Sequence, residues 1–328
     1  DSSSFLTMQE GNKFGAKILL PEGFADSVIE YKYTHGSWQT VETTKEGSMM
    51  PNRKLPYKGR SVTAFDGIAS WESKKTASTA SPQVTLWKEA MEIPQLQRKR
   101  KIWVYLPQDY GQTEKRYPVI YLQDGQNLFD NAIAPFGEWG VDETMQKLEK
   151  ESGFQAIIVG IAHGDSLRTK EYANYSNAKY DGGEGNQYLA FVVNTLKPQV
   201  DAAFRTLPTR EHTSIGGSSL GGLISFQAAT EYPKIFSKFL LFSPSFWYNN
   251  EVFTDAPKIA QSGEEMKFYI LAGSKEGQEM ELGAKKMLSM LEGYKNVSVR
   301  FEFVPEGEHH EAFWGEELPK AIQWLNIP

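Results

Sequence analysis

The sequence predicts an α/β protein with a mostly parallel sheet, covered by helices on both faces and preceded by a small β-sandwich domain. Short, almost continuously apolar runs recur after residue 83, and such runs are typical of strands buried on both faces of a parallel sheet. Amphipathic stretches separate these runs, as expected for helices that pack against the sheet. Before residue 74, polar and apolar residues alternate over short segments, which favours small antiparallel strands.

A small, polar segment, KKTASTASP at 74–82, divides the chain and ends in proline. This composition is typical of a linker between domains. We therefore predict a β-sandwich over 1–73, a linker over 74–82 and the α/β domain over 83–328.

Periodicity places the elements within these parts. In the first domain it predicts strands at 28–33 (VIEYKY) and 39–42 (QTVE), and a strand pair over 61–71. In the α/β domain, apolar residues at helical spacing predict helices over 188–200 and 281–292. Buried strands are predicted at KIWVYLP (101–107), PVIYLQ (118–123), AIIVGIA (156–162), TSIGG (213–217), KFLLFS (238–243), KFYILAG (267–273) and SVRFEFV (298–304).

Composition excludes several classes of function. The net charge is −6, and the strongest basic run is the short RKRK at 98–101, so we expect no nucleic-acid partner. Cysteine is absent, which excludes disulfides, zinc ribbons and a thiol nucleophile. The absence of cysteine and the start at Asp1 are interpreted as a secreted or periplasmic protein whose signal peptide has been removed. No run of about 20 apolar residues is present, so no transmembrane segment is expected.

The stretch GGSSLGG at 216–222 follows the predicted strand TSIGG and precedes a predicted helix. It fits the pattern G-x-S-x-G with Ser219 at its centre. In such a nucleophile elbow the serine backbone is strained, and the flanking glycines let strand and helix approach each other closely. The strand-turn-helix context favours this interpretation over an ordinary glycine-rich turn.

A general base and an acid are predicted in later loops. His309 and His310 follow the last predicted strand, and an imidazole there could take the serine proton. Glu276 follows the preceding strand and could hold the imidazole in the correct tautomer, with Glu279 and Glu281 as its nearest competitors. The order Ser219, Glu276, His309 is typical of α/β-hydrolases. The alternative, a metal site built from the two histidines with Glu308 or Glu311, is disfavoured because adjacent side chains rarely point the same way and no third ligand is evident.

An oxyanion site needs two backbone N–H groups. We predict that the first belongs to Leu220, immediately after the nucleophile. The second is predicted at Gln126, in the loop DGQ that follows an early strand. A two-step acyl transfer through these groups requires no metal or organic cofactor.

These motifs resemble the putative-esterase family of α/β-hydrolases, which includes feruloyl and acetyl-xylan esterases, siderophore trilactone esterases, the esterase that hydrolyses S-formylglutathione, and mycolyl transferases. The resemblance covers about residues 85–328 and rests on PVIYLQDGQNLFD, WGVDE, VGIAHG, LKPQVDAAFRTLPTRE, GGSSLGGLISFQAATEYPKIFSKFLLFSPSFW, GSKEG and GEHHEAFW. It implies Ser219 as nucleophile, Glu276 as acid and Gln126 in the oxyanion role. It implies His309 as the base because members with H-N-E-x-x-W carry the catalytic histidine first, although this chain has His310 at the second position.

The substrate is less firmly encoded than the chemistry. Phe246 and Trp247 follow the strand after the elbow, so we predict that they contact substrate, as could Trp139. Arg168 is the one obvious anion anchor in the long loop after residue 164. One arginine is few for a polyanionic trilactone siderophore, so we favour a small-molecule or glycan-linked acyl ester.

Other functions and the first domain stay open at this point. The alternatives are a siderophore trilactone esterase and, in another class, a catalytically silent glycan-binding protein. The first domain weakly resembles starch-binding-type carbohydrate-binding modules, with Trp38 either a sugar platform or a core residue. The sequence separates neither hydrolysis from acyl transfer nor one oligomeric state from another.

Overall fold

The structure, a computed structural model, describes residues 7–9, 13–20, 26–34, 40–45, 50–71, 77–177 and 179–325. The chain forms two compact units, residues 1–75 and 76–328. Within the described ranges, no helix is both long and apolar enough to cross a bilayer.

The first unit contains short antiparallel strand pairs. Its strands are β1 (Thr7–Gln9), β2 (Lys13–Gly15), β3 (Ser27–Tyr31), β4 (Glu42–Thr43), β5 (Arg53–Tyr57) and β6 (Ser70–Trp71). They pair as β1 with β2, β3 with β5, and β4 with β6. The strand pair predicted over 61–71 is wrong, because only its last two residues are in a strand and the partner of β3 is the unpredicted β5. The β-sandwich itself stays a prediction, and Trp38 lies outside the described residues.

The first unit is held together by a polar cluster as well as by apolar contacts. The guanidinium of Arg53 lies 2.5 Å from the completely buried Glu42 and 2.8 Å from Asp66. Tyr31 donates its hydroxyl to the same Asp66 at 2.7 Å. Strands β4 and β5 and the segment after β5 are therefore joined by charged hydrogen bonds, which are stronger than neutral ones.

The second unit contains an eight-stranded sheet in the order β16-β15-β14-β13-β9-β10-β8-β7. The strands from β9 to β16 in this sheet are parallel, while β8 and β7 are antiparallel to their neighbours. The bounds are β7 (Val84–Ile93), β8 (Arg98–Tyr105), β9 (Val119–Gln123), β10 (Ile157–Ile161), β13 (Thr213–Ser218), β14 (Lys238–Phe242), β15 (Met266–Gly273) and β16 (Val297–Val304), with a separate hairpin of β11 (Ser176–Asn177) and β12 (Asp181–Gly182). The seven predicted strands are all present, and β7 is an additional one.

Helices cover both faces of this sheet, as predicted. They are α1 (Val141–Ser152), α2 (Arg168–Glu171), α3 (Gly185–Phe191), α4 (Lys197–Ala203), α5 (Leu220–Glu231), α6 (Glu251–Asp255), α7 (Pro257–Ser262), α8 (Gln278–Leu291) and α9 (Glu311–Leu325). A π-helical turn, Val192–Leu196, joins α3 to α4. Helices α1 and α9 pack on one face with Leu240 and Phe242, and α3, α5 and α8 pack on the other with Phe239 and Leu241. The alternation along β14 follows from the two-residue period of a strand.

The described part of the predicted linker is tied to the second unit. Ser78 donates its hydroxyl to Asp130 at 2.9 Å, and the N–H of Ser81 donates to the buried Asp142 at 2.7 Å. Residues 77–82 are therefore held by hydrogen bonds directly before β7.

The strand order fixes where a ligand could bind. Strands β9 and β10 are neighbours, whereas the next strand of the sheet along the chain, β13, lies on the other side of β9. The connections therefore leave β9 in opposite directions, and a crevice opens at the carboxyl ends of the strands at such a switch point. The loops after β9, β10 and β13 meet at this edge.

Candidate active site

Ser219 occupies a strained turn between β13 and α5. Its backbone angles are φ 57° and ψ −121°, a conformation that L-residues with side chains rarely adopt. Its N–H donates to the carbonyl of Phe242 on the neighbouring strand at 2.9 Å. A Cβ at Gly217 or Gly221 would lie 2.9 or 3.0 Å from Cβ of Gln123, so the turn needs glycine on both sides.

Glu276 and His309 form a pair at the carboxyl ends of β15 and β16. His309 Nδ1 lies 3.0 Å from Oε1 of Glu276, whose side chain is completely buried, while the imidazole is 38% exposed. The other carboxylate oxygen, Oε2, accepts the N–H of Gly273 at 2.7 Å. Trp314 packs edge-on against the imidazole, with ring centroids 4.9 Å apart. The histidine ring is thus held through Nδ1 and leaves Nε2 for another partner.

His310 has a different position from its neighbour. Its Nδ1 accepts the N–H of Phe313 at 3.2 Å, and its carbonyl accepts the N–H of Trp314. Because the first N–H groups of a helix lack intrahelical partners, His310 serves as a cap for α9. The two adjacent histidines therefore point to different partners.

The Ser219 hydroxyl is hydrogen-bonded to a second serine. Its Oγ lies 3.3 Å from Oγ of Ser245, and the N–H of Ser245 donates to the carbonyl of Ser219 at 3.0 Å. Among the described residues, no hydrogen bond joins Ser219 to His309. Such bonds are often long in the absence of substrate and tighten in the Michaelis complex.

The predicted oxyanion groups lie in the loops after β9 and β13. Leu220 is the first residue of α5, where a backbone N–H has no intrahelical partner. Gln126 lies within the short 3₁₀ turn Gly125–Asn127, which begins after Asp124 in the left-handed conformation with φ 56°. A Cβ at Gly125 would lie 2.6 Å from the carbonyl carbon of Gly160, so this loop is pressed against β10.

Arg168 is committed to an internal partner. Its Nε and Nη2 donate to the two oxygens of Asp124, each at 2.8 Å, and Nη2 also lies 3.4 Å from the carbonyl of Ser218. Burial opposes ionisation of Asp124, yet the arginine holds the pKa of this carboxyl below its ordinary value. The bidentate pair neutralises the guanidinium, and we therefore correct its assignment as a substrate anion anchor.

Two of the three predicted substrate-contacting aromatic residues are core residues. Phe246 is completely buried and packs against Phe226, and Trp139 is 5% exposed and packs against Phe242. Neither offers surface to a substrate. Trp247, by contrast, is 39% exposed.

Trp247 and His309 line the same cleft. Its volume is about 310 Å³, and its other walls are Glu276, Gly277, Gln278, Glu279 and Met280. Trp247 also contacts Tyr180 edge-on at 5.8 Å between ring centroids. No cationic side chain lines this cleft among the described residues.

Two buried polar residues at this edge, Asn127 and Glu311, received no catalytic role from the sequence, and Glu311 was considered only as a metal ligand. Asn127 Nδ2 donates to Oε1 of Glu311 at 3.0 Å, and both residues are 7% exposed. Burial raises the pKa of Glu311 to about 7. The sequence offered one indication of their burial, since each is directly followed by apolar residues, in NLF for Asn127 and EAFW for Glu311.

Comparison with known proteins assigns the second unit to a protein family. The model of the Esterase family, described as "Putative esterase", matches residues 93–325. The chain is 28% identical over 250 residues to the endo-1,4-β-xylanase/feruloyl esterase of Xylanibacter ruminicola, with 74% of this chain and 31% of that protein covered. It is 24% identical over 241 residues to the ferri-bacillibactin esterase BesA of Bacillus subtilis, covering 65% and 80%.

A solved structure shares the fold. The BES protein from Bacillus cereus superposes with a TM-score of 0.64 at 19% identity, covering 78% of this chain and 99% of that one. The family match spans most of the chain and the whole site. The chain therefore belongs to the Esterase family and is an esterase.

Proposed function

We propose that this esterase is a serine hydrolase in which Ser219 is the nucleophile, His309 the general base and Glu276 the acid that orients it. The observation that carries the proposal is the hydrogen bond between His309 Nδ1 and the buried Glu276 carboxylate. Both residues follow strands of the same sheet that also presents Ser219 in its strained elbow. The pair fixes the tautomer that leaves Nε2 free to accept the serine proton. The adjacent His310 caps a helix instead.

The reaction has two acyl-transfer steps. His309 takes the proton of Ser219 as the hydroxyl attacks the ester carbonyl, and Leu220 and Gln126 donate their N–H groups to the oxyanion. The ester C–O bond then breaks, and His309 returns the proton to the leaving alcohol. Water, deprotonated by His309, attacks the acyl-enzyme in the same way and releases the acid and free Ser219. The hydrogen bond with Ser245 holds the serine hydroxyl before substrate arrives.

The substrate is proposed to be an acyl ester of a carbohydrate or a related neutral alcohol. The leaving alcohol must approach Nε2 of His309, so it occupies the cleft beside this residue. The cleft presents the exposed face of Trp247 and the carboxylate of Glu279. An exposed indole ring, apolar with one polar edge, is suited to stack on a sugar ring. The carboxylate of Glu279 disfavours a polyanionic siderophore, and Lys179, which is close enough to act on Glu279, offsets part of this charge. The relative from Xylanibacter ruminicola is named a feruloyl esterase.

The siderophore esterase is the second candidate, because a relative is named a ferri-bacillibactin esterase. A panel would compare a feruloyl sugar ester with a catecholate trilactone at low and high ionic strength. We expect the neutral feruloyl sugar ester to give the higher kcat/KM at both ionic strengths. A higher kcat/KM for the trilactone would make the siderophore esterase the favoured function.

We also propose that the protein acts outside the cytoplasm and that residues 1–73 form a glycan-binding domain. The absence of cysteine is compatible with an oxidising compartment. Affinity for insoluble xylan or starch, measured with the full chain in the presence and absence of a competing soluble glycan, tests the second statement.

Hydrolysis of 4-nitrophenyl acetate tests the catalytic assignment. Ser219→Ala and His309→Ala should each lower kcat on the order of 10⁴-fold or more. His310→Ala is the matched control for the histidine, and Ser298→Ala, an exposed serine at the start of β16, is the control for the serine. Equal losses in His309→Ala and His310→Ala would contradict the assignment of the base. Equal slow turnover by the parent and Ser219→Ala would favour the catalytically silent glycan-binding protein.

A further inference from the structure

A buried hydrogen bond connects the oxyanion loop to the histidine loop. Asn127 Nδ2 donates to Oε1 of Glu311 at 3.0 Å. Asn127 directly follows Gln126, whose N–H has the proposed oxyanion role. Glu311 begins α9 two residues after His309. The bond therefore joins two loops that are separated by 184 residues in the sequence and that carry different parts of the catalytic apparatus.

Asn127 is held firmly enough to transmit this connection. Its N–H donates to the carbonyl of Asp124 at 2.8 Å, and its carbonyl accepts the N–H of Trp139 at 2.9 Å. Its side chain is nearly inaccessible to water, and the second amide atom, Oδ1, has no hydrogen-bond partner among the described residues. Glu311 is likewise 7% exposed. Each side chain therefore has the other as its partner in the protein interior.

A carboxyl group is energetically unfavourable at the buried position of Glu311. The Asp124–Arg168 ion pair lies close enough to act on it, with Asp124 disfavouring and Arg168 favouring its ionised form. Replacing a buried ionisable group by an apolar residue of similar volume is often neutral or stabilising. Packing alone therefore does not account for a carboxyl here, whereas a requirement for a directional bond to Asn127 does.

We propose that Glu311 is a positioning residue that, through Asn127, holds the oxyanion loop at the distance from His309 that the transition state requires. This inference rests on the proposed function of His309 and Gln126. It concerns geometry and not proton transfer, since Glu311 does not contact the reacting atoms. A displacement of about 1 Å between catalytic groups can lower the rate about a hundredfold.

Three variants of the full chain separate positioning from simple stability. Glu311→Ala removes the bond and should lower kcat for 4-nitrophenyl acetate about 10- to 100-fold with little change in KM. Glu311→Gln should keep kcat within about threefold, because its amide can accept from Asn127 Nδ2 and donate to Oδ1. Asn127→Ala breaks the same bond from the other side and keeps the proposal testable if Glu311→Ala does not fold.

The double variant and a transition-state analogue provide the decisive readouts. In Asn127→Ala with Glu311→Ala, the loss should equal that of one single variant, because the two side chains act as a unit. Inhibition by phenylboronic acid, which forms a tetrahedral adduct in the oxyanion site, should weaken about as much as kcat falls.

Two outcomes would overturn the proposal: full kcat in a folded Glu311→Ala protein, or additive losses in the double variant. Ser219→Ala tells failure of this inference apart from failure of the proposed function. If Ser219→Ala is inactive while Glu311→Ala has the parent's kcat, only the positioning role is refuted. If Ser219→Ala retains the parent's activity, the proposed function itself is wrong.

Discussion

Glu311→Gln should stabilise the protein progressively as the pH rises. Burial, together with the charge of Asp124, raises the pKa of Glu311 from its ordinary value of 4.5 to about 7 in the folded state. Below pH 4.5 the carboxyl is neutral in both states and costs nothing. As the pH rises from 4.5 to about 7, the unfolded state ionises this group while the folded state keeps it protonated, so stability is lost over this interval and changes little above it. Each unit of difference between the folded and unfolded pKa is worth about 1.4 kcal/mol, so the free energy of unfolding falls by about 3 kcal/mol in total.

Glutamine cannot ionise, so the difference in free energy of unfolding between the variant and the parent isolates this group. About 2.5 kcal/mol of the difference should develop between pH 5 and pH 8.5, in favour of glutamine at the higher pH. Guanidinium titrations at several pH values measure it, because contributions from unchanged groups cancel. Glu308→Gln, which removes a more exposed carboxylate from the same loop, controls for the loss of one negative charge. A difference that is constant over this range would refute the reasoning.

Three further predictions concern the site itself. Glu276→Gln should lower kcat on the order of 10³- to 10⁴-fold with little change in KM, because the imidazole of His309 loses its orienting carboxylate, and steady-state kinetics on 4-nitrophenyl acetate measure it. Gly125→Ala should both destabilise the fold by about 1–3 kcal/mol and lower kcat, because its Cβ would lie 2.6 Å from a backbone carbon of β10. Gly111→Ala, whose Cβ would have no atom within 4 Å, is the matched control in thermal unfolding. Equal destabilisation by the two substitutions would exclude the steric cause. Trp247→Ala should raise KM about tenfold for a feruloyl sugar ester but not for methyl ferulate, and equal losses on both would place Trp247 on the acyl side.

The parallel sheet could be predicted from the sequence because its strands are buried on both faces. Each such strand is a continuous apolar run, and this signal does not depend on the neighbouring strands. Strand β7 was missed because its half-exposed sequence includes Lys88 and Glu89 and its pairing with β8 is interrupted by register shifts. The pair predicted over 61–71 failed for a similar reason, since alternation over a few residues does not distinguish a strand from an extended segment.

The proposed reacting groups of the candidate site were easier to select from the sequence than the residues around them. Ser219, Glu276 and His309 each follow a strand of the same sheet, and parallel strands bring their carboxyl ends together whatever the loops contain. The partner of Arg168 lies 44 residues away along the chain, and no local pattern shows that its charge is already neutralised. For Phe246 and Trp247, adjacency in the sequence conceals the fact that one side chain is buried and the other exposed.

Buried polar residues occur at this edge of the sheet because they join its loops in a fixed geometry. The Asp124–Arg168 pair joins the loop after β9 to the segment after β10, and Asn127–Glu311 joins it to the segment after β16. Apolar contacts are not directional and would tolerate small shifts of one loop against another, whereas hydrogen bonds between buried polar groups fix both distance and angle. The proposed nucleophile, base and oxyanion site lie on separate loops and need that constraint, because the reaction rate depends on displacements of about 1 Å between them. The desolvation cost of these buried groups is therefore best understood as the energetic requirement of geometry at the site, and the pH-dependent gain expected for Glu311→Gln measures the part of that cost that comes from ionising Glu311.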